Sequence, residues 1–149
     1  MIRTALIHLA LGALIGGILL IDKGFHHWPW FWTLRAGHVH LMLLGWTVQF
    51  ACGVAFWILP RLDAAGTRGA LWLAWFCYGA LNAGTLLVTL SAPFAGLVGR
   101  ERIAWMSPVA AILFVAGIAA FIAHVWRRIR PWGAVPARGT SIGDYSGST

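Results

Sequence analysis

The chain has 149 residues, of which 60% are hydrophobic and only 10% are charged. A water-soluble domain of this size needs far fewer apolar residues, so the composition excludes that class and predicts an integral membrane protein. The formal net charge is +7, but the basic residues lie in predicted loops and in the tail, which favours membrane orientation and anionic lipid over nucleic acid as their explanation.

The first apolar run predicts a transmembrane helix over about residues 2–21. A basic residue precedes the run, as in a signal peptide, but the run contains His8 and no small-x-small cleavage motif follows it. We therefore expect the helix to be retained. Gly12 and Gly16 form a G-x-x-x-G face, which predicts close packing against another helix.

A polar and aromatic connection follows, over residues 22–36. Its adjacent histidines, His26 and His27, are candidate metal or haem ligands, although paired histidines in a loop are more often solvated and bind nothing. Arg35 is placed to meet a carboxylate at the mouth of a site, or to lie along the membrane interface as an ordinary arginine.

The second predicted span, about residues 37–60, carries the most informative pattern, Gly37-His38-Val39-His40 at its start. Ionisable residues in an apolar span indicate a functional site. On a helix, positions i and i+2 are about 200° apart, so the two imidazoles should point to nearly opposite faces and can serve two sites. The face below His38 is a narrow, partly polar stripe made of Gly45, Gln49 and Cys52.

Two more spans are predicted, over about residues 69–91 and 105–126. Tyr78, Asn82 and Thr85 share one face of the third span. They can hydrogen-bond a cofactor, but plain hydrogen bonding between helices is the commoner role.

Basic residues are unevenly divided between the two sides of a four-span topology. One side has Arg3, Arg61, Arg68, Arg127, Arg128, Arg130 and Arg138, and the other has Lys23, Arg35, Arg100 and Arg102. The positive-inside rule places both termini in the cytoplasm and the start of the second span at the outer face. We therefore predict an all-α, four-helix transmembrane bundle as one domain over residues 1–130, with a flexible cytoplasmic tail over residues 131–149.

The histidines in the predicted spans fall at two different depths in the membrane. His38 and His40 lie toward the outer surface, whereas His8 and His124 lie toward the inner one. Two axial ligands of one haem must meet the iron at the same height, because each metal–nitrogen bond is about 2 Å. The outer pair can be completed by the loop histidines or by a second subunit. The inner two can pair with each other or simply hydrogen-bond backbone and water.

The run His-His-Trp-Pro-Trp, then Arg-Ala-Gly-His-Val-His-Leu-Met-Leu-Leu-Gly-Trp, then Gly53 and Ile58-Leu-Pro-Arg61, resembles one helix of the catalytic subunit of haem-copper oxidases. The similarity is to cbb-type oxidases, nitric oxide reductases and the related NnrS-type membrane proteins. It implies b-type haem at the outer side, with His38 on an active-site haem and His40 on a low-spin haem.

The pattern also departs from that superfamily. Its catalytic subunit has many more spans, and its three copper-ligating histidines have no evident counterpart here beyond a slight likeness of His26 and His27 to an adjacent histidine pair. The resemblance implies haem binding, and it does not imply oxygen reduction with proton pumping.

These observations predict a membrane b-type haem protein of a bacterial or archaeal inner membrane, acting in electron transfer or in binding oxygen or nitric oxide; any catalysis would be haem-dependent oxidoreduction. His38 and His40 are the expected ligands, and Gly45 and Gly53 are expected to give clearance for the cofactor. Gln49 lies on the same face as Gly45, and Arg35 with Arg100 or Arg102 is expected to neutralise the propionates. A homo-oligomer is expected because each small subunit is short of ligands.

Two alternatives stay open. The first is a copper- or zinc-binding membrane protein that uses His26, His27, His38 and His40 as a nitrogen-ligand cluster. The second is a non-redox scaffold or assembly factor whose histidines are structural.

Overall fold

The computed structural model describes residues 1–25, 28–62, 68–126 and 128–129, and within these ranges the chain is helical, without strands. Four helices are long and apolar enough to cross a membrane, and we name them span 1 (Ile2–Phe25), span 2 (Pro29–Ile58), span 3 (Leu71–Val98) and span 4 (Arg100–Trp126). The predicted all-α architecture of four membrane-spanning helices is confirmed. The predicted tail and the loop histidines His26 and His27 lie outside the described residues.

Span 2 is built from several kinds of helical turn. A 3-10 segment, Pro29–Leu34, leads into the α-helical turn Arg35–His40, then into a π-helical segment, Leu41–Val48, and finally into the α-helix Gln49–Ile58. The span begins before the predicted residue 37 because a proline at the first position already has the helical φ and needs no N–H partner. It ends where Leu59 turns to extended backbone ahead of Pro60, as residues before proline usually do.

Span 3 runs past the predicted end at residue 91, through Pro93, to Val98. Proline inside a helix removes one hydrogen bond, here the one that residue 93 would donate to the Thr89 carbonyl. Packing against neighbouring helices lets membrane helices tolerate such an interruption. The helix ends at Gly99, whose φ of 90° favours glycine. Span 4 begins with a short helix, Arg100–Ile103, before its main helix, Met106–Trp126.

The spans pack in chain order, each mainly on the next, and glycines permit the close approaches. On span 1, the G-x-x-x-G prediction is confirmed, since a Cβ added at Gly12 would come 2.7 Å from the Met42 sulfur of span 2, and one at Gly16 would come 2.6 Å from Cε1 of His38. Spans 3 and 4 meet in the same way, where Gly84 faces Phe114. Small residues of this kind are the usual basis of helix association in lipid.

Hydrogen bonds between polar side chains connect three spans in the half of the bundle that holds the start of span 1. Gln49 of span 2 is fully buried and accepts a 3.0 Å bond from Asn82 of span 3. Tyr78 of span 3 and Thr4 of span 1 share a 2.9 Å bond between their hydroxyls. Thr85 instead donates to the Leu81 carbonyl of its own helix. The polar face predicted on span 3 is therefore used largely for helix contacts.

Arg128, just after span 4, closes one end of the bundle and is only 1% exposed. Its guanidinium donates to three carbonyls at the end of span 2, those of Phe56 (3.1 Å), Leu59 (2.7 Å) and Pro60 (3.1 Å). The last carbonyls of a helix lack partners within the helix, and a cation there also interacts favourably with the negative end of the helix dipole. We call this side, with Arg3, Arg61, Arg68 and Arg128, the arginine-rich end.

Candidate functional site

His38 lies in the contact between spans 1 and 2, beside Gly12 and Gly16 near the middle of span 1. Its Nδ1 donates a 2.8 Å hydrogen bond to the Gly12 carbonyl, and its ring rests against Gly16. Because a carbonyl oxygen can only accept, Nδ1 must carry the proton. In the neutral ring Nε2 then has a free lone pair.

His40 points toward span 4 instead. Its Nδ1 donates a 2.8 Å bond to the Ala36 carbonyl one turn earlier, and its ring stacks on Phe114 with centroids 6.1 Å apart and planes at 16°. The same reasoning gives Nε2 of His40 a free lone pair. The sequence prediction that His38 and His40 face opposite sides is confirmed, because their contacts are on different spans.

The Nε2 atoms of both histidines are accessible as well as unpaired. Neither makes a hydrogen bond among the described residues, and Thr89 Oγ1 is the one fully buried side-chain polar atom in that part of the chain without a partner. A ligand can therefore approach either nitrogen without first displacing a buried side-chain hydrogen bond.

The π-helical segment Leu41–Val48 begins directly after His40. Its wider turns change which backbone groups pair, and the Thr47 hydroxyl donates a 2.9 Å bond to the Met42 carbonyl five residues earlier. Single π-helical turns inside α-helices frequently mark functional sites. Nothing in the hydrophobic pattern of these residues distinguishes them from ordinary α-helix.

His8 occupies the space beside Gly45 that we expected to give clearance for a cofactor. Its Nδ1 donates a 3.0 Å bond to the Gly45 carbonyl, and a Cβ at Gly45 would come 2.8 Å from that nitrogen. At 1.5 Å per residue, Gly45 is about 10 Å along span 2 from His38, so His8 and His38 lie at different depths.

His124 of span 4 has both ring nitrogens engaged. Nδ1 donates to the Ala70 carbonyl at 3.0 Å, and Nε2 accepts a 3.3 Å bond from Arg128, while the ring stacks on Phe56. Phe56 is about 16 Å along span 2 from Gly45, where His8 lies. The fold does not bring His8 and His124 together as a ligand pair, and each hydrogen-bonds a backbone carbonyl, the alternative left open by the sequence.

The other candidate residues are divided between the surface and the interior. Arg35, Arg100 and Arg102 are exposed near the end of the bundle that carries His38 and His40, and none makes an ion pair with a described residue. Gln49 is sealed against span 3 and lines no open space near the two histidines. No three His, Cys, Asp or Glu side chains lie close enough to hold a metal ion within the described ranges. The four-histidine cluster depends on His26 and His27, which are not described.

Thr89 of span 3 is a polar group beside the site that sequence reasoning missed. It packs on Gly37, where an added Cβ would lie 3.0 Å from its Cγ2 and 3.1 Å from its Cα. Its Oγ1 has no hydrogen-bond partner, and Pro93 leaves its carbonyl without the usual helical donor. The sequence does contain two hints of this contact, a proline four residues after Thr89 and a glycine just before His38. Whether Thr89 meets that glycine depends on how spans 2 and 3 pack.

Thr89→Val should leave the free energy of unfolding unchanged or raise it by up to about 1 kcal/mol, because it removes a buried hydroxyl that makes no hydrogen bond. Equilibrium unfolding in mixed micelles, followed by tryptophan fluorescence, measures this change. A loss of more than about 1 kcal/mol would mean that the hydroxyl has a bound partner.

Gly16 and Gly17 form a matched pair for testing the seat of His38. Gly16→Ala should cost about 1–3 kcal/mol, since its Cβ would overlap the imidazole ring and force it to move. Gly17→Ala meets nothing within 4 Å and should be neutral or stabilising. Equal effects of the two substitutions on unfolding would contradict this packing.

Comparison with family models, with curated proteins and with solved structures finds no match to this chain. Any functional conclusion therefore depends on the residues and contacts of the chain itself.

Proposed function

We propose that this chain is a membrane b-type haem protein in which His38 and His40 would hold the haem iron, and that it acts in electron transfer or in binding oxygen or nitric oxide. The observation that carries the proposal is the state of the two rings. Each Nδ1–H is donated to a backbone carbonyl at 2.8 Å, and each Nε2 keeps its lone pair.

This arrangement fits the chemistry of iron ligation. Histidines that bind metals usually donate the other ring N–H to a carbonyl or carboxylate, which fixes the ring and makes the ligating nitrogen more basic. The Gly12 and Ala36 carbonyls would do this for His38 and His40 respectively. His124 lacks this arrangement, because Arg128 already occupies its Nε2. His8 also donates Nδ1–H to a backbone carbonyl, but its side chain is buried between spans 1 and 2, whereas His38 and His40 are partly exposed.

The two ligands would serve different haems, because His38 faces span 1 and His40 faces span 4. When bound, haem supplies an iron that changes oxidation state and can present an open coordination position. With one imidazole from this chain per iron, the same iron would be able to bind a diatomic gas, or a histidine of a second copy in a homo-oligomer. Arg35, Arg100 and Arg102 are the exposed cations at the same end that would face the propionates.

The resemblance to one helix of the haem-copper oxidases supports b-type haem and an outer-face location. The arginine-rich end supports an orientation with both termini in the cytoplasm, in a bacterial or archaeal inner membrane.

The first experiment is a visible spectrum of the detergent-purified protein, oxidised and then reduced with dithionite, with a pyridine haemochrome assay on the same sample. We expect reduced bands of b-type haem at one haem per chain or more, and a shift with carbon monoxide if a coordination position is open. A folded sample that contains no haem after expression with adequate haem supply would overturn the proposal. Metal analysis would then separate a copper or zinc protein from a scaffold.

A further inference from the structure

A cleft of about 430 Å³ lies at the arginine-rich end, between the start of span 1, the end of span 2 and the start of span 3. Its side chains combine one cation, two hydroxyls and an aromatic wall: Arg3, Thr4, Phe56, Trp57, Trp75 and Tyr78. This volume is in the range of pockets that hold small molecules. The cleft is far from His38 and His40 along span 2, so it is separate from the proposed haem site.

The described lining of the cleft carries a positive charge. Arg3 is exposed and makes no ion pair with a described residue, and none of the described residues that line the cleft has a carboxylate. Arg68 does not line the cleft, but its guanidinium lies 5.3 Å from the centroid of the Phe56 ring that forms one wall. An anionic group is the complement that these cations lack.

The rest of the cleft suits a lipid better than a soluble anion. Trp57, at the end of span 2, is 73% exposed, and Trp75, near the start of span 3, is 69% exposed. Amphipathic aromatic rings at such positions usually meet lipid headgroups. Among the residues that line the cleft, the Thr4 and Tyr78 hydroxyls share one hydrogen bond of 2.9 Å. That bond uses one of their two O–H hydrogens, so the other hydroxyl can donate to an ester oxygen.

We propose that this cleft binds one anionic phospholipid, with its phosphate at Arg3, its ester oxygen at the Thr4 and Tyr78 hydroxyls, and the start of an acyl chain against Trp57 and Trp75. A membrane lipid fits this cleft better than a soluble anion does, because the wall of the cleft is largely apolar and its arginine is exposed. Haem is not needed for this binding, so the proposal stands or falls separately from the haem proposal.

The test measures lipid retained by the detergent-purified full chain with native mass spectrometry, using phosphatidylglycerol and phosphatidylcholine of identical acyl chains as probes. The wild-type chain should retain phosphatidylglycerol in preference to phosphatidylcholine. Arg3→Gln should reduce that preference by about five-fold, the effect of one cation at a lipid surface. The matched control is Arg61→Gln, which makes the same charge change at the same end but outside the cleft, and it should retain the preference.

Each other outcome overturns the proposal. Equal losses for Arg3→Gln and Arg61→Gln would mean that the arginine-rich end attracts lipid only by its total charge. Equal retention of the two lipids by the wild-type chain would mean an apolar groove without headgroup recognition. Displacement of the lipid by millimolar inorganic phosphate would identify a soluble anion as the occupant. Trp75→Ala keeps the charge and should weaken retention of phosphatidylglycerol. Unchanged retention would mean that the acyl chain does not lie in the cleft.

Discussion

Replacing His38 and His40 together with alanine should abolish the haem spectrum while leaving the four spans folded. The hydrogen bond of each ring to a backbone carbonyl is worth about 1 kcal/mol, and the loss of ring packing against Gly16 or Phe114 adds to this cost without removing the apolar contacts of the spans. If each ring ligates its own iron, each single substitution should remove about half of the haem per chain. The pyridine haemochrome assay gives haem content, and far-ultraviolet circular dichroism confirms that the variants are helical.

His8→Ala is the matched control for that experiment. Its ring also donates Nδ1–H to a backbone carbonyl, but it lies in the space beside Gly45 and about 10 Å in depth from His38. We expect its haem content to be that of the wild-type chain. A double variant of His38 and His40 that keeps the wild-type spectrum would contradict the proposal that these histidines bind haem. Loss of haem only in the His8 variant would indicate that haem binds near Gly45 instead.

The features that sequence analysis predicted correctly are local ones. The four spans follow from apolar length, and the opposite directions of His38 and His40 follow from about 100° of rotation per residue. The close packing at Gly12 and Gly16 follows from glycine spacing on one helix face. None of these requires knowledge of which span lies beside which.

The features that sequence analysis missed depend on partners distant in the chain. The clearance expected beside Gly45 is taken by His8, which lies 37 positions away in the sequence. Thr89 meets Gly37 only because spans 2 and 3 pack at that level, and the unpaired hydroxyl there has no signature in composition. The extension of span 3 through Pro93 was missed because the rule that proline ends a helix is weaker where neighbouring helices support the interruption.

Arg128 is the clearest case, since its sequence context predicts only an interfacial cation in a basic cluster. Instead its side chain is buried and reaches back to residues about 70 positions earlier, with Nε and Nη2 on the last carbonyls of span 2 and Nη1 on His124. Burial, and after it the neighbouring Arg68, lower the pKa of Arg128, but a guanidinium stays charged at any pH at which the protein would be studied. The contact joins the ends of spans 2 and 4, in addition to the stacking of His40 on Phe114 and of Phe56 on His124.

Arg128→Ala should therefore lower the free energy of unfolding by about 3–5 kcal/mol, because it leaves several buried acceptors without donors, each worth about 1–3 kcal/mol before relaxation. Arg128→Lys keeps the charge but replaces a planar fork by a single ammonium, which cannot reach all three carbonyls, so it should recover only part of the loss. Arg102→Ala is the control, since that side chain is exposed at the opposite end and its removal should change the stability by less than about 0.5 kcal/mol. Equilibrium unfolding in mixed micelles compares the three variants. If Arg128→Lys matched the wild-type chain, charge at the helix end would suffice. If Arg128→Ala changed the free energy of unfolding as little as Arg102→Ala, the contacts of the guanidinium would not stabilise the packing of spans 2 and 4.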